Sequence, residues 1–374
     1  TDSHLMEPFF VSVPSESDLW MFISSQGGLT AGRVDADRSL FPYMTEDHVH
    51  DGRHITGPYT LLRVLDGPEA GKVHRAFAFD QEAPKRTHLY KGVTGNSLGF
   101  EEEIPELGLK ISYRWQGCDA FGWTRRAVVT NTGDETISLS VLDGLRNLQP
   151  YGVSAQLSQN SSCLVDAYKR SEIEAESGLG IYALTSRIVD RAEASEQLRA
   201  NVSWCVGLDG ARLLTLKQLP AFHAGLPLAD EHDLRGDRAG YFATGELTLA
   251  PGASHTWWMV ADVGLSHDAI VKLTRTLRDG FDPNAIEREL EEATSALRAM
   301  VASSDGVQET GDRIGDLHHF SNTLFNCMRG GLFLRDHEVP TTDLRAFATT
   351  RHKELSTTQA QFFDSLPERI SASE

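Results

Sequence analysis

The chain is short of cysteine, of basic residues and of long apolar runs, and each shortage narrows what the protein can be. Four cysteines (Cys118, Cys163, Cys205, Cys327) are scattered over 374 residues with no CxxC spacing. That pattern argues for reduced, mostly buried thiols in a cytoplasmic protein rather than for a disulfide framework. Lys and Arg number 35 against 53 Asp and Glu, a formal net charge of −18. Nucleic acid and anionic membranes both need basic surface, so neither is an expected partner. No apolar stretch approaches the roughly 20 residues of a spanning helix. No signal peptide is visible, and residues 1–6 (TDSHLM) read as a cloning remnant before a start at Met6. Without a secretion signal, the triplets Asn160-Ser161-Ser162 and Asn201-Val202-Ser203 read as chance glycosylation matches. GxSxG, HExxH, P-loop and dinucleotide fingerprints are also missing.

What is present is strand. Hydrophobic residues make up 40% and charged residues 24%, an ordinary globular balance. Short alternating runs recur to about residue 263, among them Trp20–Ser24, Tyr59–Leu65, Leu109–Trp115, Trp123–Val129 and Thr256–Val263. Turn signals such as Asp51-Gly52, Asp66-Gly67-Pro68, Asp209-Gly210 and Pro251-Gly252 separate them. Between Ala127 and Gly152 two strands flank the turn cluster Asn131-Thr132-Gly133-Asp134. Ile137, Leu139 and Val141 share one face there, and Ser138, Ser140 and Leu142 the other. This stretch reads as a hairpin of a large antiparallel sheet. The fold class that follows is mainly β, a large two-sheet antiparallel sandwich, with residues 7–263 as its extent.

Two interruptions stand out. Ile188–Ala200 reads as a short helix or an exposed loop, and Phe222–Gly240 as a long charged loop. After Gly264 the periodicity becomes helical. Ser266 caps a helix through Arg278, and Asp282-Pro283 opens a second with Ile286, Leu290, Ala293 and Leu297 on one face. Leu317–Met328 and Asp343–Leu355 read as further helices, so residues 264–374 form a helical extension. On Leu317–Met328 the residues Leu317, Phe320, Leu324 and Phe325 form an apolar face suited to docking.

The densest set of functional groups is Tyr43, Asp47, His48, His50, Asp51, Arg53, His54 and Tyr59. His48 and His50 sit at strand alternation. A metal site with Asp47 or Asp51 is one reading, a hydrogen-bonded edge loop a second, and a sugar or interdomain contact a third. Tyr43 and Tyr59 suit stacking on a sugar ring, with Arg53 and Asp51 on its hydroxyls. No metal and no cofactor are expected. Gly27–Arg33 reads as a tight turn between strands, with Arg33 pairing nearby acids. Trp257 and Trp258 must point to opposite faces, which makes Trp258 a sugar-contact candidate if exposed. Glu101-Glu102-Glu103 reads as a solvated charge run, and no pair of converging carboxylates is legible, although glycoside hydrolysis needs one.

Trp20–Ser24 with Gly27–Arg33 and Leu40-Phe41-Pro42-Tyr43 resembles the N-terminal domain of cellobiose-phosphorylase-like proteins. Leu142–Gly152 and Phe325–Gly331 resemble further blocks of the same group. The resemblance implies a β-supersandwich of the galactose-mutarotase type, then linker helices, then an (α/α)6 barrel carrying the catalytic acid. The chain ends soon after the linker-like helices, so no residue is assigned as catalytic. On this reading the chain is a non-catalytic domain of a glycoside phosphorylase-like or hydrolase-like enzyme. Its partners would be a downstream catalytic domain, an oligosaccharide, and a second copy in a homodimer. Two alternatives stay open: a stand-alone aldose-epimerase-like sandwich enzyme using His74, His88 or His255 with Glu246 or Glu103, or a sugar-binding or structural module without chemistry.

Overall fold

Strands dominate the chain up to Ser266 because apolar residues recur there at alternate positions. The computed structural model describes residues 2–79, 86–188, 197–328, 338–352 and 354–371. Two compact units follow one another, Thr1–Thr294 and Ser295–Glu374.

The first unit is built on two large antiparallel sheets. One has five strands: β14 (Arg212–Leu213), β16 (Ala239–Leu249), β10 (Ile137–Leu148), β4 (Gly57–Val64) and β5 (Val73–Ala76), in that order. The other has nine. It begins with β15 (Asp233–Arg235), β11 (Lys169–Ile173), β12 (Gly180–Leu184) and β13 (Arg199–Val206). It continues through β17 (Ser254–Ser266), β9 (Gly122–Asn131), β8 (Leu109–Cys118), β7 (Ser97–Ile104) and β6 (Arg86–Lys91). A three-stranded sheet of β1 (Phe10–Pro14), β2 (Leu19–Ser24) and β3 (Leu29–Arg33) packs on the same core.

Strand alternation decides what each face buries. On β17, Trp257, Met259, Ala261 and Val263 enter the core between the sheets. Trp258 and Val260 face the other way. On β10, Leu139, Val141 and Leu145 point inward, whereas Leu142 joins Phe222 and Phe242 on the outer face. The residues between Ala127 and Gly152 therefore do not form a hairpin. β9 pairs with β8 and β17, and β10 pairs with β4 and β16. The turn after Asn131 carries the chain from one sheet to the other. Both strands were legible; local alternation is the same whether two strands pair or face each other across a core, so their partners were not.

Helices α1 (Glu46–Asp51), α2 (Ala155–Asn160), α3 (Ser162–Tyr168) and α4 (Leu219–Ala224) are short insertions. Phe222–Gly240 is mostly loop, as it reads, with the end of α4, the three residues of β15 and the start of β16 inside its bounds. Most of Ile188–Ala200 lies outside the described residues, and its last two residues begin β13. α5 (His267–Arg278) starts where expected, with the Ser266 Oγ accepting from the Ala269 N–H. α6 (Asn284–Ser303) lays Ile286, Leu290 and Ala293 on the outer face of the nine-stranded sheet. Thr294 Oγ1 pins it there, 2.9 Å from both Asn96 Nδ2 and Gln116 Nε2.

At the far end of α5, Arg278 clasps Glu174 on the turn between β11 and β12. The Arg278 guanidinium, then the Ser177 hydroxyl and N–H, hold the Glu174 carboxyl down at about 2. A depressed carboxyl contributes stability that is complete above its unfolded value and is lost as pH falls through its folded value. The stability of the Glu174→Gln variant should therefore vary less than that of the wild type between the ordinary value of 4.5 and about 2. Parallel urea melts across that window check this; identical pH slopes would show the clasp to be energetically silent.

In the second unit, Leu297 and Val301 of α6 pack on Phe320 and Leu324 of α7 (Arg313–Met328). The apolar face expected for docking is thus half covered: Phe320 and Leu324 are buried, while Phe325 is 51% exposed. β18 (Glu338–Pro340) pairs with β19 (Arg369–Ser371), and α8 (Thr341–Arg351), α9 (Leu355–Thr358) and α10 (Ala360–Ser365) lie between them in sequence. Among the described residues no helix is long and apolar enough to cross a membrane.

Candidate functional site

The turn after β2 is the first piece of the site. A Cβ on Gly28 would lie 2.1 Å from the Val49 carbonyl oxygen, so only glycine lets α1 sit this close. Val49 is fully buried and anchors α1 to the sandwich. Here the structure corrects an expectation: His48 and His50 are helical, not on a strand. Two helical positions are about 200° apart, so the two rings diverge. His50 Nδ1 lies 2.7 Å from Ser24 Oγ, and His48 is exposed. The Asp47 side chain lies outside the described residues, and Asp51 is exposed away from the cleft described next. Tyr43 packs edge-on against Trp20, with centroids 5.7 Å apart, and is likewise outside that cleft.

Three of the expected residues, Arg53, His54 and Tyr59, do meet. They line a cleft with Gln26, Arg75, Phe77, Tyr113 and Arg146. It encloses about 460 Å³ including its open mouth, and its closed part is narrow. The register of β4 explains the cluster. Gly144 stands opposite Tyr59, Arg146 opposite Gly57, and Arg75 opposite Leu61. Tyr59, Arg75 and Arg146 thus share one sheet face, and Gly144 presents no side chain between them. The Arg75 and Arg146 guanidinium carbons lie 5.1 and 5.2 Å from the Tyr59 ring centroid. Such contacts are worth about 0.5–1 kcal/mol when exposed and more when desolvated.

Arg146 also fixes the loop that carries Arg53 and His54. It donates to the carbonyl oxygens of His54 and Arg53, both at 2.7 Å, and of Pro58 at 3.1 Å. Arg53 donates to the His50 carbonyl at 3.0 Å. Backbone oxygens thus help to orient both side chains.

The inner wall is strained. Phe77 has φ +54°, a left-handed conformation rare for a bulky residue. Its N–H donates to Glu102 Oε2, and Glu102 Oε1 lies 2.7 Å from His74 Nε2. Glu102 is fully buried, which corrects the reading of Glu101–Glu103 as a solvated run. The signal was there: Leu98, Phe100, Glu102 and Ile104 alternate, and all four are buried. Phe77 meets the Tyr113 ring edge-on at 4.7 Å. Burial pushes the Tyr113 phenol well above its ordinary value, so it stays protonated as a neutral donor.

Beneath Tyr113 lies a charged pair in the core. Arg125 on β9 and Asp143 on β10 are both fully buried, and Arg125 Nη2 donates to Asp143 Oδ2. Thr60 Oγ1 donates to Asp143 Oδ1 at 2.6 Å, and the Trp257 indole N–H donates to Oδ2. The Arg125 guanidinium carbon sits 5.3 Å from the Tyr113 ring centroid. Neither member of this pair stood out in the sequence as a candidate.

Trp258 is not a sugar platform. It is 5% exposed, packs with Ile286 and Leu290 of α6, and has Arg126 over its ring at 5.9 Å. The helices that follow the sandwich cover the second tryptophan. Arg33, expected to pair with acids, bonds Asp262, Asp18 and Asp119 at 2.7, 2.8 and 2.9 Å. Among the described residues, every cysteine is free.

No family model matches the chain, and no curated protein matches it in sequence. Solved structures match in shape. A bacterial glucoamylase complexed with acarbose shares 9% identity at TM-score 0.47, over 84% of this chain and 39% of the other. A family GH92 alpha-mannosidase from Bacteroides thetaiotaomicron shares 10% at TM-score 0.39, over 88% and 40%. A galactose mutarotase-like protein from Clostridium acetobutylicum shares 10% at TM-score 0.33, over 68% and 98%. The chain spans about two fifths of the two glycosidases and nearly all of the mutarotase-like protein. The fold class is a mainly β, two-sheet antiparallel supersandwich followed by helices.

Proposed function

We propose that this chain is the non-catalytic sandwich domain and helical connector of a carbohydrate-active enzyme of the cellobiose-phosphorylase-like kind, and that its Tyr59 cleft contacts glycan. The observation that carries this reading is the composition of the cleft. Its described lining is aromatic and cationic, from Tyr59, Phe77, Tyr113, Arg53, Arg75 and Arg146, with no Asp or Glu. Aromatic faces with a few fixed donors suit recognition of a sugar, whereas glycoside hydrolysis requires two carboxyl groups flanking the scissile bond. The sequence blocks around Trp20–Tyr43 and Leu142–Gly152 support the same reading by resemblance.

One observation favours the alternative of a stand-alone epimerase-like enzyme: histidines and glutamates do meet, His88 beside Glu103 at 3.6 Å outside the cleft, and His74 on Glu102 at 2.7 Å. That pair is engaged with itself and with the Phe77 N–H, and neither residue lines the cleft. An acid–base pair has to reach the substrate, so we favour the non-catalytic reading.

The test uses the chain as it stands. Incubated with β-glucosides, with and without phosphate, it should release no sugar above the buffer control. Titrated with gluco-oligosaccharides in a calorimeter, it should bind in the millimolar range. Robust turnover by the chain alone would overturn the non-catalytic assignment.

A further inference from the structure

Resting on that reading of the cleft and deepening it, we infer that Tyr113 is its specificity-determining residue: the phenol hydroxyl at the floor takes the exocyclic hydroxymethyl arm of a neutral hexopyranose whose ring lies against Tyr59 at the mouth. Three features converge on this.

The first is a hydroxyl that the fold does not use. Tyr113 is 3% exposed. Its ring stacks on Phe100 at 4.8 Å, meets Phe77 edge-on at 4.7 Å and lies 5.3 Å from the Arg125 guanidinium carbon. Phenylalanine would make all three contacts. The hydroxyl itself makes no hydrogen bond among the described residues. Buried polar groups are nearly always bonded, so an unbonded one facing a cleft calls for a partner from outside the chain.

The second is access and chemistry. Gly27, at φ +84°, puts no side chain over the hydroxyl; a Cβ there would lie 3.4 Å from it. Tyr113, Gly27 and Gln26 line the cleft together. Gln26 bonds Ser24 Oγ through its backbone N–H at 3.1 Å, and its side-chain amide has no partner among the described residues. Burial keeps the phenol protonated, so it donates at neutral pH. The amide both donates and accepts. A neutral hydroxyl answers both groups, because it too donates and accepts.

The third is shape. The closed part of the cleft is too narrow for a sugar ring. Only a slim arm reaches the floor, and a hexopyranose carries one: a single carbon bearing a hydroxyl. Phe77, held in its left-handed conformation by Glu102, walls the cleft with an apolar ring suited to that carbon. Tyr59 stands half-buried at the mouth, where the sugar ring stacks. A pentopyranose has no such arm.

Calorimetric titration of the whole chain with methyl β-glucoside, its 6-deoxy analogue and methyl β-xyloside tests the inference. The glucoside should bind about three- to tenfold more tightly than the 6-deoxy analogue, which is the worth of one hydrogen bond. The xyloside should bind no more tightly than the 6-deoxy analogue. In Tyr113→Phe the ratio of glucoside to 6-deoxy affinity should fall to within about twofold of one, because the partner of the arm is gone. Reading a ratio within one variant cancels any change that weakens both sugars alike. The wild-type series stands by itself should the variant fail to fold. Equal affinity of the wild type for glucoside and 6-deoxy analogue overturns the inference and leaves the glycan-binding reading standing. An undiminished ratio in Tyr113→Phe gives the arm to another group, which also overturns it. No binding of any saccharide overturns both.

Discussion

Asp143→Asn is expected to destabilise the sandwich by on the order of 3–5 kcal/mol, the usual cost of leaving one member of a buried ion pair without its partner. Asp143 accepts from Arg125, Thr60 and Trp257, and all four residues are buried. The amide removes the negative charge opposite Arg125. It also presents an N–H₂ to at least one donor that needs an acceptor. Arg125→Met should cost a similar amount, because it strands the carboxylate. The double variant Arg125→Met with Asp143→Leu should recover most of the loss, since apolar replacements of buried pairs are often neutral. Some cost remains, as Trp257 and Thr60 lose their acceptor. Urea melts of the three variants check this as a double-mutant cycle. Additive single losses, with no recovery in the double, would mean the two residues act separately.

The second large effect is expected at Glu102. Glu102→Ala removes the acceptor of the Phe77 N–H and the carboxylate beside His74, both part-buried. Each unpaired donor costs about 1–3 kcal/mol. The left-handed conformation at Phe77 itself costs about 1–2 kcal/mol relative to an ordinary one. Once the carboxylate no longer grips the N–H, the backbone relaxes and the ring leaves Tyr113. The variant should therefore melt earlier and also lose sugar affinity at the cleft by about tenfold, a loss of about 1.4 kcal/mol. Phe77→Gly separates the two effects, because glycine accepts the left-handed backbone without its strain. It should retain stability better than Glu102→Ala while still losing the aromatic wall. If Glu102→Ala melted like the wild type and bound sugar unchanged, the buried carboxylate would have no part in shaping the cleft.

How much of this was legible beforehand differs from element to element. The strands were, because burial on one face writes itself into the chain as period two. The same is true of α5 and α6, where a capping serine, a proline at the helix start and the Ile286, Leu290, Ala293, Leu297 spacing all agree. Glu102 and Arg125 were legible in principle. Each interrupts an otherwise apolar inward row, Leu98 to Ile104 and Trp123 to Val129. A charged residue in such a row is either an error of register or a paired group. His48 and His50 misled because alternation over three residues is too short to tell a strand from one helical turn.

The site itself was half visible. Arg53, His54 and Tyr59 lie within seven residues of one another, so local sequence brought them to notice together. Arg75 and Arg146 belong to the two strands that flank β4, 16 and 87 residues beyond Tyr59, and only the register of β4 with β5 and β10 sets them over its ring. Trp258 shows the opposite case: alternation put it on the outer face, and the packing of α6 then covered it.

Local sequence marked the long strands, the helices after Ser266, most of the inward apolar positions and the acidic balance of the chain. These depend on neighbours within a few residues, where burial, capping and turn chemistry act. Tertiary structure alone decided that β9 and β10 face each other rather than pair, that Arg125 meets Asp143, and that three arginines gather at one cleft. Those contacts join positions between about 20 and 90 residues apart, and strand pairing over such distances follows from packing two sheets on one core, which no local pattern encodes.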